Sequence, residues 1–278
     1  MCLTGVAGCP AAPFLPIPQD DAGSAATPDG RRPAGPISRE VAMIRANARG
    51  RLTAKDLTLV LLLLAGGSAA RRAALERQLE AEGPDPLLDD PALFDALLRV
   101  RTIMVPSDVL LFYVLVRHAL LRAGVESREV ADYLAVLLLD FGRRDRAQRV
   151  DWHDDQRHRY VVDIVQDLEQ SNDPRRFKVM VHLGNYTLWL SGMYPDWIAA
   201  RRQRRGGPGL SYYEAMGRRG FALASDHALA SALGMEEVLR TAAERFGVLR
   251  RSLNGISDRM LFPASVTDAR IERELGGA

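Results

Sequence analysis

Small residues recur at helical spacing in two stretches of this chain, and they leave few folds open to it. In "RRFKVMVHLGNYTLWLSG", Phe177, Val181, Gly184, Leu188 and Ser191 fall along one line of a helix. In "SYYEAMGRRGFALASDHALAS", Tyr213, Gly217, Gly220, Ala224, Ala228 and Ser231 do the same. A glycine inside a helix costs about 1 kcal/mol relative to alanine, so such lines make sense where another backbone must come close. The first stretch has a second apolar line, His182, Tyr186, Trp189 and Met193. A helix apolar nearly all round is a buried one. The two stretches therefore predict a central helix pair, about 174–192 and 211–233, inside an all-α multi-helix bundle.

The remainder of the chain agrees. Helix starts are marked at Thr53 with Asp56, at Asp90-Pro91, at Asp173-Pro174 and at Ser211 with Glu214. Stops are marked at Gly66-Gly67, Gly83-Pro84, Gly124, Gly206-Gly207-Pro208 and Gly234. The expected helices are 38–49, 53–65, 68–82, 90–101, 107–123, 127–148, 152–171, 174–192, 195–205, 211–233 and 236–252. No alternating β-branched run competes with them. Residues 1–36 are rich in Pro, Gly and Ala without an apolar period, and read as a disordered tail. Residues 37–270 then form a single all-helical domain, with 271–278 a flexible C-terminus.

Composition sets outer limits on function. Hydrophobic content of 47% and a net charge of +2 describe a folded chain without a general pull toward nucleic acid or anionic membrane. Of 37 basic residues only Lys55 and Lys178 are lysines, a bias that fits a GC-rich coding sequence. Both cysteines, Cys2 and Cys9, lie in the tail, so the helical region has no thiol chemistry. The apolar runs "LTLVLLLLA" and "VLLFYVLV" fall far short of the roughly 20 residues that span a bilayer. No basic, apolar leader opens the sequence, and a cytoplasmic location is expected.

The pairing of "GNYTLWLSGMYPDWI" with "LSYYEAMGRRGFALAS" resembles an uncharacterised bacterial all-helical protein family. Its pattern is G-[DN]-x-x-L-x-x-x-G-x-x-P, followed by Tyr-Tyr, Met-Gly and an aromatic residue. The matching positions are Gly184, Asn185, Leu188, Gly192, Pro195, Tyr212, Tyr213, Met216, Gly217 and Phe221. The resemblance implies a helical fold and brings neither an activity nor a catalytic residue with it.

Candidate ligand-binding residues come from the polar groups expected inside the bundle: His182, Tyr186, Tyr213, His227, Asp154 and His158. On a helix over 152–171, Asp154 and His158 stand at i and i+4, a spacing that ligates metal, and His182 with His227 could converge on them. The competing reading is that these are core residues bonded to backbone or to one another. Glu-x-x-His and His-Glu-x-x-His are both lacking, so neither a metal nor a cofactor is assigned, and the catalytic residues are unknown. Arg201, Arg202, Arg204 and Arg205 form one basic run, and Arg143, Arg144, Arg146 and Arg149 another. Without a nucleic-acid-binding signature they read as solvated helix ends favoured by the helix dipole. The expected function is a helical binding or scaffolding module, with a protein partner or a second copy of the chain left open. The alternative is a metal-, cofactor- or small-ligand-binding helical enzyme that uses the His/Tyr interior.

Because the tail has no apolar period, a chain that starts at Ile37 is expected to melt at the same temperature as the full chain. A clearly lower midpoint for the shorter chain would show that the tail docks.

Overall fold

The computed structural model describes residues 47–100, 107–143, 146–151, 153–173 and 175–258. The predicted tail, the predicted helix over 38–49 as far as residue 46, and the 271–278 segment lie outside the described residues. The rest is all-α, with 13 α-helices and no strand among the described residues. In chain order they are α1 (Ala54–Ala65), α2 (Ala69–Glu82), α3 (Asp85–Leu88), α4 (Pro91–Val100), α5 (Asp108–Arg122), α6 (Arg128–Phe141) and α7 (Val161–Gln170). There follow α8 (Arg175–Met193), α9 (Pro195–Arg205), α10 (Leu210–Ser225), α11 (Ala228–Ala232), α12 (Glu236–Glu244) and α13 (Phe246–Ile256). No helix among the described residues is long and apolar enough to cross a membrane.

The predicted pair is the centre of the bundle. α8 packs against α10, α13, α7 and α6, and its buried positions run from Phe177 to Met193 around almost its whole circumference. Where α8 crosses α10 the backbones touch. A Cβ on Gly220 would stand 2.8 Å from the amide nitrogen of Gly184 and 2.9 Å from the carbonyl oxygen of Met180. A Cβ on Gly184 would enter the ring of Phe221 at 2.5 Å, and one on Gly217 would meet Phe246 and the Thr187 hydroxyl. Thr187 and Ser191, both fully buried, donate their hydroxyls to Leu183 O and Thr187 O within α8 (2.7 and 2.6 Å). Their polarity is thereby spent inside the helix, and the contact face stays dry.

Caps explain several boundaries. Thr53 and Asp56 form the predicted capping box at α1, and Asp90 accepts from Ala92 N at α4 (2.8 Å). Ser107 and Ser127 cap α5 and α6. The box predicted at Ser211 and Glu214 does not form. α10 starts one residue earlier with Gly209 at its N-cap, and Glu214 accepts from Arg250 of α13 instead (2.7 Å).

Four predicted helices are cut short or divided. The helix expected over 127–148 ends at Phe141, and Arg146–Gln148 forms a separate 3-10 turn. The helix over 211–233 breaks after Ser225, because His227 turns extended and its ring Nδ1 accepts from Leu229 N (3.2 Å) to cap α11. Ala228 and Ser231 are consequently exposed and leave the small-residue line. The segment 236–252 divides at Arg245 into α12 and α13. The helix expected over 152–171 begins only at Val161. Asp163 accepts from the amides of Arg159 and Tyr160 (2.9 Å each) and ends the extended chain there, so Asp154 and His158 lie on a loop.

The crossing predicts a sharp contrast between two helical glycines. Gly220→Ala gains about 1 kcal/mol of helix propensity, but it drives a methyl into backbone atoms that cannot rotate away. A net loss of about 2 kcal/mol is expected, or a midpoint lower by roughly 4–8 °C. Gly255, in α13, has nothing within 4 Å of its missing Cβ, so Gly255→Ala is expected to melt at or above the parent temperature. Equal midpoints for the two variants in thermal melts would refute the close crossing.

Candidate functional site

After α6 the chain makes a short 3-10 turn (Arg146–Gln148) and then a loop to Tyr160, and this loop is laid across α7 and α8 by polar contacts. His158 donates its amide to Gln148 O (2.7 Å) and the Arg149 guanidinium donates to Asp154 O (2.6 Å), which closes the loop on itself. Lys178 of α8 pairs with Asp151 (2.9 Å). Arg175, at the start of α8, holds the loop to α7: it donates to Asp167 (2.7 and 3.1 Å) and pairs with Asp154 (3.1 Å). Ser171 gives Asp167 a further hydrogen bond (2.8 Å).

Beneath this clamp lie two histidines. His158 has 0% exposure and His182 3%, and their ring centroids are 6.1 Å apart. An Asp167 oxygen lies 3.1 Å from His158 Nε2 without completing a hydrogen bond, and neither ring nitrogen of His158 has a hydrogen-bond partner. His182 Nε2 also has none. Around His182 stand Phe141 and Tyr186, at 5.9 and 6.1 Å between centroids, and Trp189 closes the aromatic group against Phe141 and Tyr186. Tyr186 donates its hydroxyl to Arg159 O (2.9 Å), another tie to the loop.

The electrostatics favour a neutral His182. Burial holds the His182 imidazole well below its ordinary pKa, and the neighbouring Arg146 guanidinium and His158 add to that effect. Arg146 is itself buried, stacked 5.8 Å over Phe141, and burial lowers its pKa. Burial acts to raise Asp167, but the bonds from Arg175 and Ser171 outweigh it and hold its carboxyl below the usual range.

The structure thus brings together Asp154, His158, His182 and Tyr186, though not as a helical i, i+4 ligand pair. Tyr213 of α10 is buried as well, and burial raises the pKa of both Tyr213 and Tyr186. His227 goes elsewhere. Its ring packs on Phe177 (5.2 Å) with Nε2 3.3 Å from Asp173, and its contacts are those of a helix cap. Asp167 and Arg175 escape a reading of the sequence, because their roles depend on a loop that doubles back, and no periodicity encodes that; Arg146, expected in a solvated helix end, is instead buried. Among the described residues, no group of three or more His, Cys, Asp or Glu side chains is placed to hold a metal ion. Arg144 of the second basic run lies outside the described residues.

Comparisons with protein-family models, with curated proteins and with solved structures find no match in any of the three.

The depressed pKa of His182 makes stability fall with acid. The unfolded chain binds a proton near the ordinary value of 6.5 while the folded chain resists it. Stability is therefore fully present above that pH and declines below it, by up to about 1.4 kcal/mol per pH unit for one such group. His118, buried against Leu88 O (3.0 Å), is lowered in the same direction, first by burial. His182→Gln is expected to flatten the loss between about pH 6.5 and 5 without abolishing it. Urea unfolding at several pH values would show this, and an unchanged pH slope would place the acid sensitivity elsewhere.

Proposed function

We propose that this chain is a non-catalytic helical binding module, whose interior holds a shape and whose partners meet its surface. The observation that carries this reading is what the interior polar residues are engaged in. Asp154 and Asp167 give their carboxylates to Arg175, Tyr186 gives its hydroxyl to a backbone carbonyl, and His227 caps a helix. His158, His182, Tyr186 and Tyr213 are each at most 6% exposed, too deep for a general acid or base that must reach a substrate.

A second reading keeps the interior as the site of a small ligand or cofactor. It is favoured by the nitrogens of His158 and His182 that lack hydrogen-bond partners, since buried polar atoms ordinarily find one.

Elemental analysis and an absorption spectrum of the purified protein separate the two readings. The binding module is expected to carry neither a stoichiometric transition metal nor a chromophore, with His158→Gln and His182→Gln changing stability only. Close to one metal or chromophore per chain, lost in both variants but kept in His227→Gln, would overturn the proposal in favour of the ligand site, because bound ligand contributes folding free energy.

A further inference from the structure

Most arginines with a stake in the fold are paired. Arg49, Arg117, Arg128, Arg175 and Arg250 each meet a carboxylate within 4 Å. Exposed arginines such as Arg71, Arg77, Arg218 and Arg219 form no such pair among the described residues, and the C-terminal half of α9 concentrates groups of this kind. Among the described residues, none of Arg201, Arg202, Arg204 and Arg205 forms an ion pair, and from Trp197 to Tyr213 the sequence contains no acidic residue. Arg202, Arg204 and Arg205 are exposed.

Aromatic rings from three elements gather at the same place. Arg201 lies 4.6 Å over the ring of Tyr160, at the end of the loop, and 5.2 Å from the ring of Trp197 on α9. Tyr160 is nevertheless 47% exposed. Tyr212, in the first turn of α10, is 37% exposed and stands edge-on to Tyr213, and the segment leading into α10 folds back on α9, where a Cβ on Gly207 would stand 3.4 Å from the Arg201 side chain. Val162, at 51% exposure, adjoins Tyr160 in the chain. Large apolar side chains are costly to leave in water, and here the exposed rings adjoin guanidinium groups that form no ion pair, the nearby Asp163 carboxylate being taken up by the amides of Arg159 and Tyr160.

We infer that this surface binds single-stranded nucleic acid, as the partner of the binding module proposed above. Unpaired cations call for a polyanion, and exposed flat rings call for a partner with flat faces. A single strand supplies both, phosphates for Arg202, Arg204 and Arg205 and unstacked bases for Tyr160 and Tyr212. In a duplex the bases are stacked on one another and the rings would have nothing to receive. An acidic peptide or an anionic bilayer satisfies the charge but not the rings, and Trp197, half-buried beneath Arg201, does not project as a membrane anchor. The net charge of +2 is no obstacle, because attraction of a polyanion depends on the charge gathered at the surface it meets and not on the total.

The test is anisotropy of a fluorescein-labelled oligothymidylate with the full chain across a salt series. A duplex of equal length, inorganic polyphosphate and phosphatidylserine vesicles are the competitors. The single strand is expected to bind at least about tenfold more tightly than the duplex. Arg204→Glu with Arg205→Glu should weaken binding at least tenfold and reduce the log–log salt slope by about 1.4. Tyr160→Ala and Tyr212→Ala should each weaken it roughly fivefold to a hundredfold and leave the slope in place, while Tyr212→Phe binds like the parent. These side chains are exposed, and unchanged thermal melts show that the variants fold. No binding at low salt overturns the inference, and so does parent-like binding by both tyrosine variants. Equal competition by duplex or polyphosphate reduces the surface to general electrostatics, and capture by vesicles alone makes the partner a lipid surface; both outcomes overturn it. Metal or chromophore in the interior would instead defeat the binding-module reading and leave this result to stand by itself.

Discussion

The crossing of α8 and α10 is the contact on which the other packing distances depend. With Gly220 set against the backbone of Gly184 and Met180, the two helix axes come closer than side chains of ordinary size permit. Phe221 and Phe246, both fully buried, then fill the space on either side of the crossing, and their rings stand 6.2 Å apart. α13 reaches α8 by the same device at Gly192, where a Cβ would stand 2.8 Å from Leu253 Cβ. Interiors packed at this density transmit a displacement instead of absorbing it. One methyl at the crossing is therefore felt by three helices.

The central pair was legible in the sequence because a close helix crossing needs small residues on a repeating line, and periodicity survives in one dimension. Capping signals were legible where the partner sits three residues away, as with Thr53 and Asp56. The same rule misled at Ser211, since Glu214 had a better partner on α13, 36 residues along the chain. The loop over 153–160 failed for the same kind of reason. Its polar and apolar residues imitate a helical stripe, but Arg175, Lys178 and Gln148 pull it out flat. Of the candidate residues, His182 and Tyr186 lie together because they share one helix, whereas His227 stands apart because it caps the start of α11.

Arginine has two uses in this chain. Where a guanidinium is bridged between carboxylates, as Arg175 is between Asp154 and Asp167, it fixes the geometry of a loop with planar, directional bonds. Where it is left without an acid, as along α9, it keeps its charge for solvent or for a partner. The sequence makes both look like the same abundance of arginine. Only the distribution of carboxylates in space separates them.

The near-complete burial of α8 also grades the molecule by how it opens. α2 has no buried residue at all, while α8 is covered from Phe177 to Met193. Backbone amides in α2 can meet solvent through local fraying, at little cost in free energy. Those in the middle of α8 can do so only when the whole bundle comes apart, so their hydrogen exchange measures global unfolding and nothing smaller. The helix that carries His182 is thus also expected to be the slowest-exchanging part of the protein. Partner-binding motions on the outer helices leave its exchange untouched.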